Sequence, residues 1–145
     1  MTNSDHVARF MAAWERLDLE AVMAAFAPDA VYHNIPMAPL VGHEAIRAFI
    51  APFMAKYERL VFEIHHSAEN AAGVVMNERT DTFFWRGKTA AMRIMGVFEL
   101  KDGLILRWDT PAPNRLPTTQ RNLLQFLLPS RSRGSYAAVE HGQRN

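Results

Sequence analysis

The chain has 145 residues, with 16 Lys and Arg against 15 Asp and Glu, and a formal net charge of +1. A balance this close to neutral gives no strong electrostatic case for nucleic acid. The absence of cysteine excludes disulfides, thiolate metal sites and cysteine nucleophiles. The N-terminal residues carry Asp5 and form no apolar run as long as a signal or a membrane span, so we expect a soluble, cytoplasmic protein.

Residues 4–57 are predicted to be mainly helical. Ser4 and Asp18 are candidate N-caps of two helices, and a third helix is predicted after Gly42, with Pro52 placed to kink it. A short strand is predicted at 31–34, followed by an extended loop. Each helix has apolar residues at i, i+3 and i+4 spacing, which include Val7, Phe10, Met11, Trp14, Leu17, Leu19, Val22, Met23, Phe26, Ile46, Phe49, Ile50 and Phe53.

Four later segments have strand character, at 59–70, 72–85, 89–100 and 104–110. Short connections between the last three, one of them containing Asp-Gly, favour hairpins and a curved, mixed, mostly antiparallel sheet. Helices followed by strands indicate an α+β fold in which the helices cover the bent sheet and form a cone with an inner pocket.

The C-terminal part of the chain changes in composition. A last helix is predicted from about Thr118, with Leu123, Leu124, Leu127 and Leu128 as its apolar residues. From Pro129 the residues are mostly Ser, Arg, Gly and Gln. We therefore expect a single domain over 1–128 and a flexible tail over 129–145.

Arg79 and Asp81 stand two residues apart in a predicted strand, "VMNERTDTFF". Strand side chains alternate, so the two point to the same face and can form an ion pair. A solvated surface pair is the ordinary explanation of such a pattern. The rest of the sequence decides between that explanation and a functional one.

Tyr32 with Asn34, and Asp109 after Trp108, are the other polar groups in apolar surroundings. Taken singly, each has a structural explanation as a core tyrosine, a turn residue or a cap at a strand end. If they were buried together with Arg79 and Asp81, these groups could satisfy one another. Alternation on the last strand places Leu104, Leu106 and Trp108 on one face, and Ile105, Arg107 and Asp109 on the other.

The segments "VYHNIPMAPLVGHEAI", "NERTDTF" and "GVFELKDGLILRWD" resemble the limonene-1,2-epoxide hydrolase family (LEH), from about residue 5 to residue 110. The resemblance implies a SnoaL-like, or NTF2-like, cone-shaped scaffold and a homodimer formed through the outer face of the sheet, with "MRIMGVFEL" as its apolar segment. It also implies catalytic roles for Tyr32, Asn34, Arg79, Asp81 and Asp109. This chain departs from the family around Asp109, since Trp108 directly precedes it and Thr-Pro-Ala-Pro follows.

These groups suit the hydrolysis of an epoxide to a vicinal diol in one step, without a cofactor. In this hypothesis ionised Asp109 takes a proton from a water molecule held by Tyr32 and Asn34. Protonated Asp81 donates to the epoxide oxygen, and Arg79 bridges the two carboxyls. The expected partners are water and a small apolar epoxide, whether terpene, steroid or fatty.

Two alternatives stay open at this stage. One is a ketosteroid-isomerase-like or polyketide-cyclase-like (SnoaL-like) enzyme on the same scaffold, which needs no positioned water. The other is a non-catalytic protein that binds a small apolar ligand through aromatics such as Trp14, Phe53, Phe83, Phe84, Trp85, Phe98 and Trp108.

The substrate pocket is predicted from apolar residues near these polar groups. No metal site is predicted, because His65 and His66 are adjacent on a strand and His33 alternates away from its neighbours. The predicted lining residues are Met37, Leu40, Val41, Ile50, Met54 and Phe83.

Overall fold

A computed structural model of the chain describes residues 1–110. The predicted helix from Thr118 and the tail 129–145 lie outside the described residues, so the boundary of the domain at 128 stays a prediction. Among the described residues, no helix is both long and apolar enough to cross a membrane.

Two capped helices open the fold. Helix α1 spans Asn3–Glu15 and helix α2 spans Leu19–Ala24. The N-cap of α1 is Thr2, two residues before the predicted Ser4, because Thr2 and Asp5 bond to each other's backbone N–H groups in a capping box. Asp18 caps α2 as predicted, by accepting from the Ala21 N–H at 3.0 Å.

Strand β1 spans Phe26–His33, β2 spans Leu40–Val41, and helix α3 spans Gly42–Lys56. β1 begins earlier than the predicted residue 31. Its pairing is irregular between Phe26 and Val31, where Pro28 has no N–H to donate to a neighbouring strand. Pro52 lies inside α3, as predicted.

The remaining strands are β3 (Arg59–Glu69), β4 (Val75–Trp85), β5 (Lys88–Lys101) and β6 (Leu104–Asp109). The six-stranded sheet has the order β2-β1-β6-β5-β4-β3. β1 and β6 are parallel and every other pair is antiparallel. The predicted α+β fold with a mixed, mostly antiparallel sheet is confirmed.

Two tight turns connect β4 to β5 and β5 to β6. Asp102 and Gly103 have φ values of 53° and 79°, and Arg86 and Gly87 have φ values of 45° and 70°. Two consecutive positive φ angles are typical of a type I′ hairpin turn. The Asp-Gly signal in the sequence therefore predicted the second hairpin correctly.

The helices pack on one face of the sheet: α1 contacts β3 and β4, and α3 contacts β1. On β4 every second residue from Val75 to Trp85 is buried, so the odd-numbered residues face the helices. The core between the sheet and the helices includes Phe10, Trp14, Val22, Phe26, Ile46, Ile50, Leu60, Val75, Phe98, Ile105 and Trp108.

Candidate active site

Arg79 and Asp81 form a buried ion pair on the inner face of β4. Their exposed fractions are 2% and 4%. Arg79 Nε donates to Asp81 Oδ1 at 2.7 Å, and Arg79 Nη2 donates to Asp81 Oδ2 at 3.2 Å. A surface ion pair is therefore the wrong explanation for this pattern. Removing one partner of such a pair leaves an uncompensated buried charge and costs about 3–5 kcal/mol of unfolding free energy.

One neighbour of the Arg79 guanidinium binds it, and another leaves the space that it occupies. Asn77, also buried, accepts from Arg79 Nη1 through Oδ1 at 2.8 Å. Gly96 lies opposite Asn77 on β5, and a Cβ at Gly96 would come within 2.6 Å of Arg79 Nη1. The absence of a side chain at position 96 is therefore what gives the guanidinium its space.

The pKa of Asp81 lies above the ordinary value of 3.8, because burial disfavours the charged carboxylate. The charge and hydrogen bonds of Arg79 oppose this effect but do not cancel it. Perturbed carboxyl groups inside clefts are typical of acid–base catalysts. Asp81 is therefore the carboxyl of the cavity wall to consider for acid–base chemistry.

Tyr32 and Asn34 extend the polar side of the site from β1. The Tyr32 ring is buried and stacks on Trp108, with centroids 4.6 Å apart. Burial raises the pKa of Tyr32 well above its usual value, so its hydroxyl stays protonated at neutral pH. Asn34 Oδ1 accepts from the Thr110 hydroxyl at 2.8 Å.

These groups line one cavity of about 70 Å³ between the helices and the sheet. Among residues 1–110, Asp81 is the only carboxyl in its wall, and no cluster of metal-ligating side chains is present. The lining residues are Trp14, Tyr32, Asn34, Phe49, Phe53, Phe62, Arg79, Asp81, Phe83, Met92, Ile94, Trp108 and Thr110.

Asp109, to which the resemblance gives a catalytic role, does not line this cavity. β6 runs parallel to β1 with Trp108 beside Tyr32 and Asp109 beside His33. Trp108 faces the cavity, so alternation turns Asp109 to the opposite face. There Asp109 accepts from Arg107 Nε at 2.8 Å and lies 3.7 Å from His33 Nδ1.

The alternation predicted for β6 holds at its end and fails at its start. Arg107 and Asp109 share the outer face as predicted, but Ile105 is buried in the core. The pairing with β5 shifts between Glu99 and Leu100, so β6 carries one extra residue at Leu106. This bulge reverses the faces before it.

Most of the predicted apolar lining is also corrected, since only Phe83 faces the cavity. Ile50 and Met54 are buried in the core between α3 and the sheet, and Val41 is 62% exposed on the edge strand β2. Met37 and Leu40 are partly buried against the core. None of these five residues lines the cavity.

Sequence reasoning did not assign Thr110 to the site, although it caps the cavity beside Asn34. It is two residues after Trp108, so the alternation of β6 could have found it. Sequence reasoning named Trp14, Phe53 and Trp108 only as aromatics of the ligand-binding alternative. It missed four further residues of the wall, which are Phe49, Phe62, Met92 and Ile94.

Residues 7–108 match the SnoaL-like domain family, and the chain belongs to that family. Over 103 residues it is 29% identical to the epoxide hydrolase EphG of Mycobacterium tuberculosis. The matched region spans 70% of this chain and 67% of that protein. The structure of an M. tuberculosis LEH-like epoxide hydrolase superposes with a TM-score of 0.66 at 26% identity, and covers 73% of this chain and 78% of that chain.

The similarity in fold extends to structures of lower sequence identity. A protein from Catenulispora acidiphila with a ketosteroid isomerase-like fold superposes with a TM-score of 0.67 at 20% identity, and covers 79% of this chain and 88% of that chain. A similarity at that identity reflects the fold alone. The family assignment therefore leaves the reaction to be argued from the site.

Proposed function

We propose that this protein is an acid–base enzyme of the isomerase or cyclase type, which moves a proton next to a carbonyl group of a small apolar substrate. The observation that supports this best is that one carboxyl, Asp81, faces the cavity within the described residues, while Asp109 faces away. A reaction that removes and returns a proton needs one such group. Hydrolysis of an epoxide, as first hypothesised, needs two groups, one at the water and one at the oxygen.

In the proposed reaction, ionised Asp81 takes a proton from a carbon beside the carbonyl. The electron pair of the broken C–H bond moves to the carbonyl oxygen, which becomes an enolate. Hydrogen-bond donors in the wall stabilise that developing charge, with Tyr32 and Arg79 as the candidates. Protonated Asp81 then returns a proton to carbon, and in D₂O a solvent deuteron that has replaced the first proton on Asp81 is returned instead, so no cofactor is required.

The aromatic wall supports this chemistry by surrounding the carboxyl with mostly apolar side chains. Burial raises the pKa of Asp81, and a carboxylate with a raised pKa is a stronger base once it is ionised. Arg79 holds the carboxylate in a fixed orientation through two hydrogen bonds. Acid–base groups placed in this way typically contribute about 10²–10⁴-fold to a rate.

Epoxide hydrolysis is the second candidate, and the matches to mycobacterial epoxide hydrolase at 26–29% identity favour it. In that reaction protonated Asp81 donates to the epoxide oxygen, and the Asn34–Thr110 pair is the polar group available to hold water. No second carboxylate of the described residues lies there to take the proton from water. This candidate therefore lacks the base that the original hypothesis gave it.

Exchange of hydrogen for deuterium separates the candidates without knowledge of the natural substrate. The protein is incubated in D₂O with 1-indanone, or with a Δ5-ketosteroid, and α-proton exchange is followed by ¹H NMR. In a parallel assay, terpene and fatty epoxides are tested for conversion to diol. We expect α-proton exchange above the buffer rate and no formation of diol. Rapid formation of diol without exchange would replace the first candidate by the second. Failure of both assays would favour a protein that only binds its ligand.

We also propose that the protein forms the homodimer implied by the resemblance, through the outer face of the sheet. Side chains alternate along β5, and Met92 and Phe98 are buried on its inner face. Met95 and Val97, at odd-numbered positions of the same strand, therefore point outward. Met95 is 50% exposed and Met76, beside Val97, is 37% exposed. An apolar patch of this kind gains by being covered.

A further inference from the structure

Asn77 is the third polar residue on the inner face of β4, in a row with Arg79 and Asp81. It is fully buried and does not line the cavity. Its Oδ1 accepts from Arg79 Nη1, and an amide turns its oxygen to a guanidinium because arginine has only donors. Any part that Asn77 takes in the chemistry therefore passes through Arg79.

The guanidinium of Arg79 is held at both of its edges. One edge donates two hydrogen bonds to Asp81, at 2.7 and 3.2 Å, and the other donates one to Asn77 at 2.8 Å. The rings of Phe62 and Trp108 have their centroids 5.6 and 6.0 Å from its Cζ. Loss of the Asn77 oxygen would take from Nη1 the acceptor that fixes the second edge.

The amide at position 77 is not the strongest partner that a guanidinium can have. A carboxylate of nearly the same shape would form a charge-assisted bond with Nη1. The amide also leaves its own Nδ2 buried without an acceptor among the described residues, which is unfavourable for stability.

The property that sets the amide apart from a carboxylate is its lack of charge. Position 77 lies two strand residues from Arg79 and four from Asp81, on the same face. A second negative charge there would repel the Asp81 carboxylate and compete with it for Arg79. The neutral acceptor holds the guanidinium without that competition.

We propose that Asn77 is a positioning residue of the site, whose neutral amide fixes the guanidinium and leaves the positive charge of Arg79 to Asp81. The proposal rests on the proposed function in taking Asp81 as the acid–base group. The competing explanation is a structural role, in which Asn77 only supplies an acceptor to a buried arginine. Asn77→Asp separates the two, because aspartate keeps the size and the acceptor and adds the charge.

The direct test is a ¹³C NMR titration of the Asp81 carboxyl carbon, in the unmutated protein and in Asn77→Asp. Its signal is assigned by its absence from Asp81→Glu. A nearby negative charge disfavours ionisation, so we expect the titration midpoint of Asp81 to move to higher pH in Asn77→Asp. An unmoved midpoint would overturn the proposal.

The matched control is Thr82→Asp, which adds the same charge next to Asp81 in sequence but on the outer face of β4. Water screens a charge on that face, so the midpoint of Asp81 should stay in place. An equal movement in Thr82→Asp and Asn77→Asp would also overturn the proposal, since the effect would then not depend on Arg79.

A second measurement reads the anchor itself and needs no charged variant. In ¹H–¹⁵N spectra of the unmutated protein we expect separate signals for the two hydrogens of Arg79 Nη1, because the bond to Asn77 stops rotation of that group. In Asn77→Leu the two signals should merge. Merged signals in the unmutated protein would contradict the anchor even if both variants at position 77 failed to fold.

The exchange assay adds a readout that a structural role would not produce. In Asn77→Asp, kcat/KM for 1-indanone should fall about 3–10-fold at pH values below the midpoint, and recover to within about 3-fold above it, where Asp81 is ionised in both proteins. In Asn77→Leu, kcat should fall about 10–100-fold at every pH with KM changed less than about 2-fold, since Asn77 does not touch the substrate. A loss in Asn77→Asp that is equal at all pH values would favour the structural role.

The two proposals fail separately. If the unmutated protein exchanges no ketone, the proposed reaction is wrong, while the titration of Asp81 still decides the role of Asn77. If exchange occurs and the Asp81 midpoint is unmoved in Asn77→Asp, the reaction stands and the role given to Asn77 is wrong.

Discussion

At the scale of single residues, the chain contains two aspartates with opposite environments. Asp81 is almost completely buried and paired with Arg79, whereas the Asp109 side chain is 24% exposed and paired with Arg107. Each lies two residues after an arginine on a strand, so the sequence pattern alone does not rank them. The strand face on which each aspartate lies does distinguish them, because only the inner face of the sheet meets the helices and the cavity.

The pH dependence of the reaction follows from the raised pKa of Asp81. If Asp81 acts first as a base, its ionised form is the active one, so kcat/KM for exchange rises with pH and levels off above a pKa higher than 3.8. If it acts as the acid of epoxide opening, kcat/KM falls with rising pH through the same pKa. A pH–rate profile on the substrate that is turned over, ketone or epoxide, distinguishes the two, and a flat profile would contradict both.

Asp81 also has a structural role that a simple substitution removes. Asp81→Asn leaves Arg79 buried without its carboxylate, so this variant is expected to lose about 3–5 kcal/mol of unfolding free energy. Asp81→Glu keeps the charge and displaces the carboxyl by one methylene. It is the better probe of the chemistry, provided that its circular dichroism spectrum and Tm show a folded protein.

At the scale of secondary structure, the sequence predicted those elements whose signals are local. The Asp18 cap, the Asp-Gly turn and the alternation of β4 were all read correctly. The irregular starts of β1 and β6 were not, since both depend on how the two strands pair with each other and with β5. Pairing between distant segments leaves little trace in a local pattern.

The pairing of β4 with β5 makes a prediction about Gly96. A methyl group there would come within 2.9 Å of Asn77 Oδ1 and of the Phe98 ring, and closer still to Arg79. Gly96→Ala must therefore move the guanidinium, and we expect a loss of about 1–3 kcal/mol in chemical denaturation, as for other overpacked cores.

The matched control is Ala91→Val, which adds methyl groups on the exposed outer face of the same strand and should leave stability within about 0.5 kcal/mol. Exchange of 1-indanone should fall in Gly96→Ala and not in the control. A Gly96→Ala protein as stable and active as the unmutated one would show that Arg79 does not need this space.

At the scale of the whole molecule, resemblance and periodicity together predicted the fold, and the SnoaL-like match confirms it. The site was predicted in part: the buried Arg79–Asp81 pair, Tyr32 and Asn34 do line one cavity. The assignment of Asp109 followed the family pattern against the alternation that placed Asp109 and Trp108 on opposite faces. At the end of β6 the structure follows that alternation, with Trp108 in the cavity wall and Asp109 outside it.

The homodimer is tested at this same scale. Met95→Glu places a charge in the proposed interface and should shift the protein from dimer to monomer in gel filtration with light scattering. Val41→Glu, at an exposed position on the edge strand β2, is the control and should remain dimeric. A monomeric unmutated protein, or a Met95→Glu protein that stays dimeric, would contradict the proposed interface.

The central claim is tested most directly by the rate of α-proton exchange of 1-indanone in D₂O, measured for Asp81→Glu and Asp109→Asn beside the unmutated protein. We predict that Asp81→Glu loses about 10²–10⁴-fold in rate while folded, and that Asp109→Asn stays within about 3-fold of the unmutated protein. An Asp109→Asn protein as inactive as Asp81→Glu would place the second aspartate in the reaction and contradict this account.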